Sequence, residues 1–272
     1  MMEESDSISG IADDTKPNPG RVYDYFLGGN HNFGVDRAVA RQLIEVYPLL
    51  PKFLKMLRWF LGESIRRLLD DGFTQFLDFA SGLPVQDHIH QIAPNGTKVI
   101  YSDKDPITVA YAQKIIGDNP NVHYFHCEAQ RPEIILNSDV IKSVFDRNKK
   151  VAIGMSGISY FLPDEELTHA LNALYDWANP GDKLFISEHD VVPEKILEET
   201  LNLGPKIFAQ MGSPFFSRTQ EKFLSLVPRW KVLEPGCQNF ESWLNLEGFT
   251  NKDEYIQIDG PFYGVFFEKQ GS

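Results

Sequence analysis

The sequence predicts an α/β fold: a doubly wound parallel sheet with helices between its strands, entered through an amino-terminal helical cap. Three observations predict it. Gln75–Phe79 (QFLDF) and Lys98–Ser102 (KVIYS) are apolar runs of strand length that end at an acid, Asp78 in the first and Asp103 after the second. Each acid is followed by a turn and then a helix-like segment. From Phe73 onward strand-like and helix-like stretches alternate, as they do in βαβ units. Such sheets bind ligands outside the carboxyl ends of their strands, so Asp78 and Asp103 mark a nucleotide-type site.

The elements follow in order. Residues 1–16 are acidic and Ser-rich, lack periodicity and read as a disordered tail. Residues 17–72 form the helical cap. Pro19 suits a first helical position, and the helix RVYDYFL stops at Gly28–Gly29. A second helix runs from Asp36 to Tyr47, with Val39, Leu43, Ile44 and Tyr47 near helical spacing. A third, from Pro51 to Asp71, carries Phe53, Leu54, Leu57, Phe60, Leu61, Ile65, Leu68 and Leu69 as a stripe of period ~3.6.

Residues 73–272 hold the sheet. Strands are expected at Gln75–Phe79, Lys98–Ser102, Val122–His126, Val151–Met155 and Lys183–Ser187. Helices fall between them at Val85–Ala93, Pro106–Ile116, Pro132–Val144 and Asp164–Ala178. The last is best marked: Asp164, Glu165 and Glu166 fill its first turn, where they favour the helix dipole, and Asn179–Pro180–Gly181 ends it. Further helices are expected at Glu194–Leu201 and Arg218–Leu226. Trp230–Leu233 and Phe262–Phe267 are strands six and seven, joined by a long irregular loop containing Trp243.

Composition narrows the function classes. The 272 residues carry 26 Lys+Arg against 38 Asp+Glu, a net charge of −12. That balance argues against a protein that grips phosphate backbones, so no nucleic-acid partner is expected. Lys55, Arg58, Arg66 and Arg67 read as the wet face of a helix. Two distant cysteines, Cys127 and Cys237, imply neither a disulfide framework nor a CxxC metal site. The polar start is unlike a secretory signal, and no stretch nears the ~20 apolar residues of a membrane span. A cytoplasmic protein with no membrane partner and no metal is expected.

Several residues carry candidate chemistry. After the first strand, Ala80, Ser81 and Gly82 are small enough for the backbone to approach a ligand. GxGxxG is absent, which disfavours a pyrophosphate such as NAD. Asp103 can accept from both ribose hydroxyls, with Lys104 beside it, while Asp105 before Pro106 suits a helix N-cap. Glu128 and Ala129 follow the third strand, where an acid meets an adenine amino group. Ser156 and Tyr160 lie just past the fourth, facing the sheet's crevice, where Tyr160 shapes a pocket or fills the core.

These motifs together carry a resemblance. Their order resembles class I S-adenosylmethionine-dependent methyltransferases. RVYDYFLGGNHNF, LDFASGLPVQDHIHQIA, IYSDKDP, CEAQRP, YFLPD and FFSRTQEKF…LEPG resemble one subfamily with an RVYDYxLGGxxNF amino-terminal signature, over Pro19 to Gly264. The resemblance implies a Rossmann-like seven-stranded sheet, mostly parallel with an antiparallel last strand. It implies S-adenosyl-L-methionine as cofactor, S-adenosyl-L-homocysteine as product and a small-molecule substrate, natural products included. Departures from the pattern fall at Ala80, His31, His88 and Glu188.

Within the signature helix, Tyr23, Phe26 and Leu27 share a face, and an aromatic there can stabilise a sulfonium by cation–π contact. The resemblance implies that Gly28 and Gly29 let the chain pass close to the ligand and that Asn32 bonds the methionine moiety. A proton from the acceptor O or N needs a base, and His31, His189 and His90 are candidates by residue type. Phe215, Phe216 and Trp243 are expected as apolar walls. A cofactor-binding or regulatory protein without methyl transfer is the alternative reading.

Overall fold

Each strand of the sheet places alternate side chains on two helical layers, which explains why the strands are apolar throughout. The computed structural model describes residues 13–84, 87–190, 203–216, 218–257 and 260–271. In β1 (Gln75–Asp78), Phe76 packs with one layer and Leu77 with the other. Val99 and Ile100 divide in the same way in β2 (Lys98–Asp103), as do Ala152 and Ile153 in β4 (Ala152–Met155).

With β3 (Val122–His126), β5 (Lys183–His189), β6 (Lys231–Val232), β7 (Gln238–Asn239) and β8 (Phe262–Glu268), the sheet has eight strands among the described residues, in the order β3-β2-β1-β4-β5-β8-β6, and β7 also pairs with β8. β1 to β5 are mutually parallel. β8 runs antiparallel to β5, β6 and β7. The antiparallel final strand agrees with expectation; the two-residue β7 is an addition, too short to leave a pattern in sequence.

The cap consists of α1 (Pro19–Phe26), α2 (Gly34–Val46) and α3 (Leu50–Asp70). Phe53, Phe60, Ile65 and Leu68 of α3 pack against Phe76, Val99 and Phe185 of the sheet. Val22, Phe26, Ala40, Leu43 and Leu50 form a smaller core over it, covered by Ile207, Phe208 and Met211 of α9, whose bounds are Leu203–Gln210 with Met211 just beyond.

Several helices differ from the sequence expectation. α4 is only Ile89–Ile92, because Asp87 takes a positive φ of 51° and His88 is extended. α5 (Pro106–Ile116) begins as expected, with the Asp105 carboxylate accepting from the N–H groups of Ile107 and Thr108. The helix expected over Pro132–Val144 is two, α6 (Glu133–Leu136) and α7 (Asp139–Val144), split by the extended Ser138. α8 (Asp164–Trp177) stands, and α10 (Gln220–Ser225) starts late because Thr219 caps it, accepting from Lys222 N. The helix expected at Glu194–Leu201 lies outside the described residues. The loop around Trp243 is not irregular: β7 leads into α11 (Phe240–Leu244) and α12 (Lys252–Gln257), with Asn239 capping α11. Among the described residues, no helix is long and apolar enough to cross a membrane.

Candidate active site

The carboxyl ends of β1, β2 and β4 open into a cavity of about 700 Å³, roofed by the cap and by the segment after α9. Gly154 of β4 lies opposite Asp78, and a Cβ there would sit 2.4 Å from Asp78 Oδ1 and 2.6 Å from Phe185 Cζ. Burial pushes the Asp78 carboxyl up to about 7, against the pull of the Arg58 charge.

The turn after β1 is tightly tied. Ala80 adopts φ 53°, a left-handed conformation that costs a non-glycine residue roughly 1–2 kcal/mol. The Ser81 hydroxyl donates to the Asp78 carbonyl at 2.9 Å, and Ser81 N donates to Ser102 O at 2.9 Å. Asp103 takes Gly82 N on Oδ2 at 3.1 Å and Asp105 N on Oδ1 at 3.0 Å. Its carboxyl is held above its ordinary range, chiefly by burial. Tyr124 closes the turn from behind, donating its hydroxyl to Gly82 O at 2.6 Å.

The roof is anchored by the start of the cap. Asn18 caps α1 and donates from Nδ2 to Asp105 Oδ2 at 2.7 Å. Arg21 pairs with the fully buried Asp36 at 2.7 Å, which joins α1 to α2. From α1, Val22, Tyr23 and Phe26 reach the cavity; from α3, Leu54, Leu57, Arg58 and Leu61 do. Lys104 Nζ donates to Gly212 O at 3.0 Å, tying the end of β2 to the segment after α9.

The half of the cavity beyond β4 is aromatic. Tyr160 packs against Phe161, Phe215 and Phe262 with ring centroids 4.9, 5.0 and 5.7 Å apart. Phe208 and Met211 complete this wall. The Tyr160 hydroxyl is pushed well above its ordinary range by burial.

The cavity thus gathers Tyr23, Asp78, Ala80, Ser81, Gly82, Asp103, Lys104, Ala129, Ser156 and Tyr160 from the sequence candidates. Others lie elsewhere. Gly28 ends α1, its N donating to Tyr25 O at 3.0 Å, while Gly29 and Asn32 fold on Asp24, whose Oδ2 accepts from His31 N at 2.8 Å and Asn32 Nδ2 at 2.9 Å. A Cβ at Gly29 would lie 2.1 Å from Asp24 Oδ1, so that glycine makes room for a carboxylate of its own helix. The His31 ring hydrogen-bonds the Tyr111 hydroxyl. His189 is buried behind the aromatic wall, 4.8 Å from the Phe262 ring centroid and 5.7 Å from that of Phe215. His90 bonds Tyr101 at 2.9 Å. Beyond β3 the lining comes from Ala129 and Gln130, while Glu128 accepts from Gln130 Nε2 at 3.2 Å. Phe215 and Phe216 are walls, but Trp243 is in the core, donating to Gly264 O at 2.8 Å.

Arg58 departs from the wet helix face expected from sequence. It is 8% exposed and lines the cavity rather than a wet helix face. Its position four after Leu54 and three before Leu61 puts it on the apolar stripe of α3, which is the signal that identifies it. Asn18, Gln130, Phe208 and Met211 are further lining residues that carried no sequence signal.

A carboxylate at the end of β2, a tight turn after β1 and a parallel sheet with an antiparallel final strand frame this cavity, and comparison with known families gives the class: methyltransferases that use S-adenosyl-L-methionine. The family model described as S-adenosyl methyltransferase matches residues 5–264, and the chain belongs to that family. Among solved structures, a candidate methyltransferase from Thermobifida fusca is 26% identical, with a TM-score of 0.84 over 96% of this chain and 98% of that one. A DUF574 family protein from Streptomyces avermitilis is 21% identical, with a TM-score of 0.79 over 94% and 99% of the two chains. Magnesium protoporphyrin IX methyltransferase from Synechocystis, solved with bound S-adenosylhomocysteine, shares the fold at 11% identity and a TM-score of 0.52, covering 92% and 93%. No curated protein matches. The residues present fit the cofactor: the lining holds the Asp103 carboxylate at the end of β2, a small-residue turn and the buried cation Arg58.

Proposed function

We propose that this methyltransferase acts on an O or N atom of a small molecule with a flat, apolar body, and that it belongs to the subgroup marked by the RVYDYxLGGxxNF signature. The observation that carries the proposal is the division of one cavity into a polar end at Asp78, Asp103 and Arg58 and an aromatic end at Tyr160, Phe161, Phe208, Phe215 and Phe262.

In this reading Asp103 accepts from the ribose hydroxyls, Ala129 and Gln130 border the adenine, and Tyr23 faces the sulfonium. When bound, S-adenosyl-L-methionine supplies an already activated methyl group. The chain's own work is to align the acceptor and keep water out. The aromatic wall does both, holding a planar ring by edge and face contacts. Of the candidates for catalysis, Tyr160 reaches the cavity. With its hydroxyl held above the ordinary range, Tyr160 donates a hydrogen bond at neutral pH rather than taking a proton. The acceptor that suits the cavity therefore enters as its conjugate base, or as an amine with a free lone pair, its proton already given to solvent.

The test is to incubate the protein with S-adenosylmethionine and a panel of planar phenols and aromatic amines, following S-adenosylhomocysteine and methylated product by mass spectrometry. Product with planar acceptors and none with aliphatic ones is expected. Binding of the cofactor without turnover across the panel would replace the proposal with the binding or regulatory reading.

A further inference from the structure

The FFSRTQEKF segment contains a cation that does not line the cavity. Arg218 is 3% exposed and grips the main chain of the aromatic wall. All three guanidinium nitrogens are engaged. Nε donates to Asp164 Oδ1 at 2.7 Å. Nη1 donates to Ser159 O at 3.2 Å and to Phe216 O at 3.3 Å. Nη2 donates to Leu162 O. The buried Glu188 carboxyl of β5 lies 3.5 Å from Nη1.

These partners fall on both stretches of chain that carry the wall. Ser159 and Leu162 flank Tyr160 and Phe161, and Phe216 follows Phe215. The stretches also meet at Phe216 N, which donates to Tyr160 O at 2.8 Å. Ser159 Oγ donates to Ser187 O at 2.6 Å, which ties the first stretch to β5. The hydrogen bonds of Arg218 reach neither Asp103 nor the turn after β1. A planar guanidinium fixes several donors in one plane, which a lysine ammonium cannot do. A buried ion pair is weak evidence for stability, because desolvation offsets the attraction. Three carbonyls held by one fork fix geometry instead, and small displacements near a reacting group are costly.

Resting on the acceptor reading, we propose that Arg218 is a positioning residue for the methyl acceptor. By holding the carbonyls of Ser159, Leu162 and Phe216 it sets the spacing of Tyr160, Phe161 and Phe215. It thereby governs acceptor binding and leaves the cofactor end of the cavity alone.

Arg218→Met and Arg218→Lys are compared with the wild type by three measurements. These are calorimetric titration with S-adenosylhomocysteine, steady-state kinetics with the planar acceptor that the panel returns, and amide hydrogen exchange read by mass spectrometry. Arg218→Met should lower kcat/KM roughly 10–100-fold, chiefly through the acceptor KM, with the S-adenosylhomocysteine Kd unchanged. Arg218→Lys keeps the charge without the fork and should restore only part of the KM. Exchange should quicken in peptides carrying Phe161, Leu162 and Phe216 and stay as in the wild type over residues 78–82. Adding Glu188→Gln to Arg218→Met removes the unpaired carboxyl; it should regain stability and not the acceptor KM. Recovery of both would make the charge pair the agent and overturn the proposal. An equal loss of cofactor and acceptor affinity in a folded variant overturns it, as does an unchanged KM or a lysine variant equal to the wild type. Failure of both single variants to fold also overturns it, since Arg218 would then hold the whole chain. If the wild type methylates no acceptor, the acceptor reading falls by itself. Exchange then decides: quickening confined to those peptides supports the role of Arg218, and a uniform or absent change overturns it.

Discussion

Replacing Asp103 with alanine removes the acceptor of two backbone N–H groups at once, Gly82 at 3.1 Å and Asp105 at 3.0 Å. Each bond contributes about 1 kcal/mol net, so the free protein should lose ~2 kcal/mol of stability. The first bond pins the turn after β1 and the second the start of α5, so the floor of the cavity loosens at both sides. Binding suffers separately. A carboxylate accepting from ribose is worth ~1.5–3 kcal/mol, which predicts an S-adenosylhomocysteine Kd weakened roughly 10–150-fold. Asp103→Asn keeps one acceptor oxygen and turns an amide toward the other N–H, so it should fall between wild type and alanine. The assay is calorimetric titration beside a thermal melt of each variant. A lowered melting temperature with an unchanged Kd would refute the ribose assignment. Neither quantity moving would refute the hydrogen-bonded geometry itself.

Other consequences do not depend on the Asp103 carboxylate. Asp78 rises from 3.8 to about 7 in the folded chain, so between these values the folded state holds a proton that the unfolded state has released. Stability from this group is therefore full below pH ~4 and is lost as pH rises through 7, at up to ~1.4 kcal/mol per unit. Glu188, raised from 4.5 to about 7 by burial, acts in the same direction. Urea midpoints of the cofactor-free protein should fall from pH 5 to 8, and Asp78→Asn should flatten the curve; parallel curves would contradict the burial argument. Gly154→Ala should destabilise by ~1–3 kcal/mol, because its methyl would collide with Asp78 and Phe185; a wild-type melt would show that β4 yields easily. Ala80→Gly should raise stability by up to about 1 kcal/mol by releasing the positive φ, with cofactor affinity retained; a destabilised variant would contradict the strain.

The sheet was legible because strands buried on both faces leave unbroken apolar runs, and because the acids at their ends interrupt those runs at the site. Asp78 and Asp103 could be read for that reason. Residues whose roles depend on tertiary closure could not. Gly29 and Asn32 look like part of a ligand-approach motif, yet they pack on Asp24, a partner revealed only when the chain folds back. The α4 start at Ile89 depends on the backbone turn at Asp87, which carries no periodicity. Arg58 was legible in principle: an arginine inside an apolar stripe, judged by its charge instead of its position.

In the proposed function, one cavity holds the cofactor in one orientation. A crystal structure of the protein with S-adenosylhomocysteine measures this directly. The ribose should lie on Asp103 and the adenine beside Ala129 and Gln130, leaving the aromatic end free. Ligand density outside this cavity, or an adenine seated among Tyr160, Phe215 and Phe262, would contradict it.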